Sequence, residues 1–161
     1  LTGRVGAPLF VDINLRAPWW RREDVGRSLQ QARWAKLNDE ELAVVIDRVL
    51  APESLPEAGE QLRAGYGLEL LILTAGADGA WFITADGVRH RGPPALDQVV
   101  DTVGAGDAFS AVTILGLLRD WPAAQILDRA LAFAAEICRQ RGATAANRAL
   151  YDRFLGQWNE G

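Results

Sequence analysis

The sequence predicts an α/β fold, a mostly parallel sheet with helices on both faces, and three observations point to it. Strand-length apolar runs at residues 8–14, 35–37 and 68–74 alternate with stretches of helical apolar spacing. The run 68–74 is apolar almost throughout, as suits a strand covered on both sides. Helix-starting and helix-stopping residues punctuate the connections, so the alternation reads as strand, helix, strand.

Taken in order, residues 8–14 form a buried strand that ends on polar Asp12 and Asn14. Val25, Leu29 and Ala32 give helical spacing over residues 23–34, and residues 35–37 make a short strand. Asn38 caps a helix over residues 39–50, with Glu41 three residues later in a capping-box arrangement, and Ala51-Pro52 ends it. Residues 55–64 form another helix, and 68–74 a central parallel strand. Residues 75–79 turn into a hairpin, 80–84 and 88–91, across Asp86-Gly87. Beyond Pro93-Pro94, residues 98–101 read as a strand entering a glycine-rich turn and the apolar helix 105–118. Pro122 opens a helix over 123–141, Gly142 stops it, and Asn147 caps a last helix to about Trp158. No internal repeat, low-complexity segment or linker interrupts residues 1–161, which read as one domain.

Composition excludes several chemistries. A net charge of −4 argues against nucleic acid or an anionic membrane as partner. The single cysteine, Cys138, rules out an internal disulfide and a cysteine zinc cage, and the single histidine, His90, rules out a histidine cluster. No apolar run approaches the roughly 20 residues that span a bilayer, and no signal peptide opens the chain, so a cytosolic protein is expected. The chain has no methionine and runs from Leu1 almost directly into an apolar stretch, from which an N-terminal truncation is expected.

The chemistry concentrates in Asp101-Thr102-Val103-Gly104-Ala105-Gly106-Asp107-Ala108-Phe109, between a predicted strand and a predicted helix. Gly104, Ala105 and Gly106 would expose N–H groups at a helix N-terminus, where the helix dipole favours an anion or developing negative charge. Asp107 would set a carboxylate beside that anion hole, placed to take the proton of an attacking hydroxyl in phosphoryl transfer. A Walker A loop is absent, since the only lysine, Lys36, is followed by Leu37. A Rossmann fingerprint fits poorly, because Phe109 stands where a small residue is needed.

Asp101-Thr102-x-Gly104-Ala105-Gly106-Asp107-x-Phe109 is similar to the second signature of PfkB/ribokinase-family carbohydrate kinases, and the resemblance runs along nearly the whole chain. It implies a ribokinase-like fold and ATP-dependent phosphorylation of a sugar hydroxyl, with Asp107 as general base. Asp12-x-Asn14-x-Arg16 followed by Trp19-Trp20 resembles a segment of fructokinase-like and 2-keto-3-deoxygluconate-kinase-like members, which places Asn14 and Arg16 beside the substrate. Lys36-x-Asn38-x-x-Glu41 resembles the family's Asn-x-x-Glu motif; it places Lys36, Asn38 and Glu41 on the cofactor side, with Asn38 and Glu41 organising magnesium through water. Thr74-Ala75-Gly76-Ala77-Asp78-Gly79 resembles the turn over the nucleotide phosphates, involving Thr74, Gly76 and Gly79.

The resemblance also implies a potassium-like ion near Asp101, the Val103 carbonyl and carbonyls around Ile137, Gln140 and Gly142, although Ala146 stands where several members offer a serine. A sugar or sugar acid is the implied partner, with a homodimer at full length. The chain then corresponds to the C-terminal portion of such a kinase, without its N-terminal strands and lid, and the isolated chain is expected to be weakly active or inactive. The competing reading is a non-catalytic nucleotide-binding or interaction module derived from a kinase. His90 belongs to none of these motifs and reads as a hairpin histidine.

Overall fold

In a computed structural model, residues 7–96, 98–142 and 148–159 are described, and the chain divides into two compact units, Leu1–Gly92 and Pro93–Gly161. The first unit contains a five-stranded sheet in the order β1 (Phe10–Asp12), β2 (Trp34–Asn38), β3 (Leu70–Thr74), β4 (Ala80–Thr84), β5 (Gly87–Arg91). Strands β1, β2 and β3 are parallel, whereas β4 and β5 run antiparallel to their neighbours, so the sheet is mixed. Connection length decides this. A parallel return needs a crossover of about a dozen residues or more, and residues 75–79 and 85–86 are too short for one. The hairpin link is Ala85-Asp86, one residue earlier than expected, because Gly87 already pairs with Thr84.

Helices α1 (Arg22–Gln31), α2 (Asp39–Ile46) and α3 (Leu55–Tyr66) supply the crossovers. Helix α1 stops short of the predicted Trp34 because Ala32 turns extended (ψ 141°) and Trp34 enters the ladder between Phe10 and Leu70. Helix α2 ends at Ile46, earlier than expected, because Asp47 adopts the left-handed conformation (φ 58°, ψ 47°). Helix α3 runs on to Tyr66 and closes on left-handed Gly67.

One core unites Leu29 and Ala32 with Leu42, Leu55, Ala58 and Leu62 over Ala35, Leu37, Leu71, Leu73 and Ile83. The alternate residues Leu70, Ile72, Ala80 and Phe82 are buried too, which accounts for the uninterrupted apolar run in β3. Gly59 sets how closely α3 lies on the sheet, since a Cβ there would stand 2.5 Å from Ile83 Cδ1 and 2.8 Å from Leu73 Cδ1.

The second unit is helical: α4 (Ala105–Leu118), α5 (Ala123–Cys138) and α6 (Arg148–Asn159). Helices α4 and α5 meet where Gly116 faces Ile126 and Trp121. Phe133 of α5 lies edge-on to Phe154 and Trp158 of α6. The strand expected at residues 98–101 does not form: the Val100 and Asp101 amides both donate to the Cys138 carbonyl, at 2.8 and 3.2 Å, instead of to a ladder partner. Helix α5 ends at Cys138, ahead of the predicted Arg141, and the predicted cap Asn147 lies outside the described residues. No helix among the described residues is long and apolar enough to cross a membrane.

The packing around Gly59 carries a prediction. Gly59→Val would drive α3 off the sheet, and chemical denaturation should show a loss of about 1–3 kcal/mol, the usual cost of overpacking.

Candidate functional site

The carboxyl ends of the three parallel strands gather most of the sequence-predicted residues of the first unit, where open α/β sheets bind ligands. Asp12 on β1 stands in register with Lys36 on β2, and Asn38 with Thr74 on β3. The Lys36 ammonium, almost fully buried, lies 3.0 and 2.9 Å from the two Asp12 oxygens. The group expected to serve a nucleotide is therefore committed first to Asp12, since a buried ammonium requires a nearby counter-charge.

Asn38 and Glu41 form the predicted capping box. Asn38 Oδ1 accepts from the Glu41 amide (2.7 Å), and Glu41 Oε2 accepts from the Asn38 amide (2.9 Å). Glu41 does more than the sequence shows: its Oε1 accepts the Leu15 amide at 2.8 Å, anchoring the loop that carries Asn14 and Arg16. Both of these loop side chains are exposed, with Asn14 in a left-handed turn (φ 40°). Each Glu41 oxygen keeps a second lone pair, so the Asn38–Glu41 pair suits a water-shelled magnesium ion better than one bound directly.

Beyond Thr74 the chain makes a tight turn. The Ala75 amide donates to the Gly79 carbonyl (2.9 Å), and those of Asp78 and Gly79 donate back to Ala75 and Gly76. Gly76 (φ 48°) leaves its tip exposed. Gly79 (φ 90°) is buried, and any Cβ there would fall 2.0 Å from the Arg91 carbonyl oxygen, so only glycine fits.

In the second unit, Gly104 is the N-cap of α4 in the left-handed conformation (φ 84°) and brings no capping side chain. The Ala105 amide, expected in the anion hole, instead donates to the Thr102 carbonyl at 3.2 Å, closing the turn that swings the chain into the helix. The hole narrows accordingly. Among the described residues the amides of Gly104, Gly106 and Asp107 meet no protein acceptor, and the helix ladder begins with the Ala108 amide on Gly104. Asp107 is exposed, and Ala108 and Phe109 behind it are buried. The N-terminus of a 14-residue helix, open amides and a free-standing carboxylate thus occur within one turn.

Asp101 ties the two ends of this unit together. One carboxylate oxygen accepts the Val103 amide (3.0 Å) and the other the Gly142 amide (3.1 Å). These bonds, the Val103 bond first and then that to Gly142, hold its carboxyl below the usual carboxylate range. Asp101 is thus a structural tie between the Val103 and Gly142 N–H groups, a role separate from the Val103 and Gly142 carbonyls expected to hold a monovalent cation. Ala146 lies outside the described residues. Among the described residues no group of three His, Cys, Asp or Glu is arranged to hold a metal ion.

Sequence reasoning missed the Leu15 amide and the pairing of Asp12 with Lys36. The second had a signal, since both residues sit near the carboxyl ends of strands and Lys36 is the only lysine. The first had none, because it joins residues 26 apart through a main-chain atom.

Known proteins resemble the chain along most of its length. The family model described as pfkB family carbohydrate kinase matches residues 4–150. Aminoimidazole riboside kinase of Salmonella typhimurium is 36% identical over 131 residues, covering 78% of this chain and 38% of that protein. The 1-phosphofructokinase of Escherichia coli is 34% identical over 120 residues, 71% of this chain and 36% of that protein. Among solved structures, aminoimidazole riboside kinase from Salmonella enterica, complexed with aminoimidazole riboside and an ATP analog, superposes with a TM-score of 0.74 at 30% identity. That match covers 91% of this chain and 51% of the other. The chain spans about two fifths to half the length of these relatives.

The Asp101 tie has a pH signature. A carboxyl held low in the fold stabilises above its ordinary value and loses that contribution as pH falls through its folded-state value. Asp101→Asn should therefore be less stable than the parent at pH 7, and urea unfolding at successively lower pH should show the gap closing.

Proposed function

The chain belongs to the pfkB family of carbohydrate kinases, and on that premise we propose that it carries the nucleotide and catalytic-base portion of an ATP-dependent kinase acting on a sugar hydroxyl. The observation that carries the reading is at the start of α4, where exposed Asp107 stands beside the open Gly106 and Asp107 amides. The share of the relatives' length that it covers supports reading it as a portion of such a kinase, and the C-terminal portion is the one proposed.

In this mechanism the Asp107 carboxylate takes the proton of the sugar hydroxyl as its oxygen bonds to the γ-phosphorus. The bond from that phosphorus to the β–γ bridging oxygen breaks, and ADP leaves with the electron pair. The Gly106 and Asp107 amides, with the α4 dipole behind them, stabilise the charge on the transferred group without having to reorganise. Catalysis is positioning and electrostatics, as phosphoryl transfer requires. Thr74, Gly76 and Gly79 shape a turn for the nucleotide phosphates. Asn38 and Glu41 would hold the water shell of a magnesium ion, which would supply charge neutralisation on the phosphates.

We assign Asn14 and Arg16 to the acceptor, since the guanidinium suits a phosphate or sugar carboxylate. This favours a fructose-like sugar or a 2-keto-3-deoxy sugar acid, and the 1-phosphofructokinase relative supports the fructose-like class. A water-soluble sugar and ATP are consistent with a cytosolic setting, without nucleic acid or membrane partners.

The test is phosphoryl transfer from Mg-ATP across a panel of sugars and sugar acids. The assay compares the chain alone with the chain supplied with the N-terminal half of a relative. Turnover is expected to be weak or absent alone and to appear with the added half. Asp107→Asn should then cut kcat by about 10²–10⁴ while leaving ATP affinity near the parent value. Undiminished turnover in that variant would remove Asp107 from the role of base.

A further inference from the structure

His90 lies on β5, an exposed strand at the edge of the sheet, and belongs to none of the family motifs. Its ring is nevertheless placed by two contacts. It stacks on Trp81, its direct cross-strand partner on β4, with centroids 4.5 Å apart and planes 30° from parallel. Its Nε2 lies 2.7 Å from the Asp78 carbonyl oxygen. A carbonyl only accepts, so Nε2 carries the proton and the ring donates.

Asp78 is the last residue of the exposed 3-10 turn Gly76–Asp78. The hydrogen bonds inside that turn, Ala75 to Gly79, Asp78 to Ala75 and Gly79 to Gly76, connect it only to itself. What fixes its angle to the sheet is the approach of Gly79 to the Arg91 carbonyl and the His90 bond to Asp78, both from the same end of β5. The stacked Trp81 restricts the imidazole to the orientation in which Nε2 reaches that carbonyl.

We infer that His90 is a positioning residue for the Gly76–Gly79 turn, locking it through the Asp78 carbonyl in the orientation that receives nucleotide phosphates. The inference rests on the nucleotide role proposed for that turn. It makes β5 the outer brace of the nucleotide site and assigns His90 to nucleotide affinity alone. The residue contributes no proton to the reaction and no contact to the acceptor sugar.

Two substitutions separate its two contacts. His90→Phe keeps a ring on Trp81 and removes the donor; His90→Gln removes the ring and offers an amide donor. Hydrogen–deuterium exchange of residues 75–79 is measured on the ligand-free chain, and Mg-ATP affinity by titration calorimetry on the same protein. With His90→Phe, exchange in the turn should rise several-fold and Mg-ATP should bind about 5–10-fold more weakly, the loss of roughly one hydrogen bond. His90→Gln should restore both in large part, which a merely destabilising substitution would not do. Unfolding midpoints of all three proteins should stay close together. Unchanged exchange in His90→Phe, or equal losses in both variants, overturns the inference. Failure of the underlying reading looks different: Mg-ATP would then give residues 75–79 of the parent chain no added protection, whatever the variants do.

Discussion

A helix that starts on a residue without a side chain leaves main-chain donors pointing outward, and the site proposed here depends on that. The first turn of any helix has four amides without helical acceptors. Helix α2 closes part of this deficit with its own Asn38 and Glu41 side chains. Helix α4 does not: Gly104 offers no side-chain oxygen, and of the first amides among the described residues only that of Ala105 is consumed, by Thr102. The Gly106 and Asp107 amides stay open, and the next side chain, Asp107, is exposed. One unsatisfied helix end thus holds both a positive field and an exposed carboxylate, the two features on which the proposed phosphoryl transfer rests.

The two helix ends divide the work through this difference. The closed end of α2 is rigid because its box is reciprocal, and the same Glu41 carboxylate extends that rigidity to Leu15 in the loop bearing Asn14 and Arg16. A buried carboxylate that accepts two main-chain amides gains charge-assisted bonds without needing a cation. It therefore orders the loop by itself. The open end of α4 owes its placement to other groups: the Asp101 carboxylate, bonded to Val103 and Gly142, pins the segment leading into the helix against the end of α5. Asp101 thus holds the segment that leads into the N-terminus of α4.

Local signals carried much of this legibly. The boundaries of α4 and β4 and the capping box of α2 follow from residues within a few positions of one another, and the structure has them as expected. The departures are places where a long-range partner outweighed local preference. Residues 98–101 carry strand-like valines, but the Cys138 carbonyl takes two of their amides and no ladder forms. Helix α1 gives up its last predicted turn because Trp34 gains more by pairing with both neighbouring strands. Resemblance places Lys36 on the cofactor side, and its counter-ion 24 residues away could be found only by laying β1 and β2 in register.

The antiparallel addition of β4 and β5 has a consequence for function beyond extending the sheet. A parallel strand after β3 would need a crossover, which would carry the chain away from the carboxyl end of β3 at the point where the Thr74–Gly79 turn stands. A hairpin keeps the chain beside that turn and returns β5 to the same end, so that Arg91 crowds Gly79 and His90 reaches Asp78. The turn is exposed and small-residued, a composition that by itself favours motion. Its order is imposed from the neighbouring strands. The requirement for glycine at position 79 and the reach of the imidazole at position 90 are therefore two parts of one solution, since the turn can face a ligand closely only if something behind it fixes its direction.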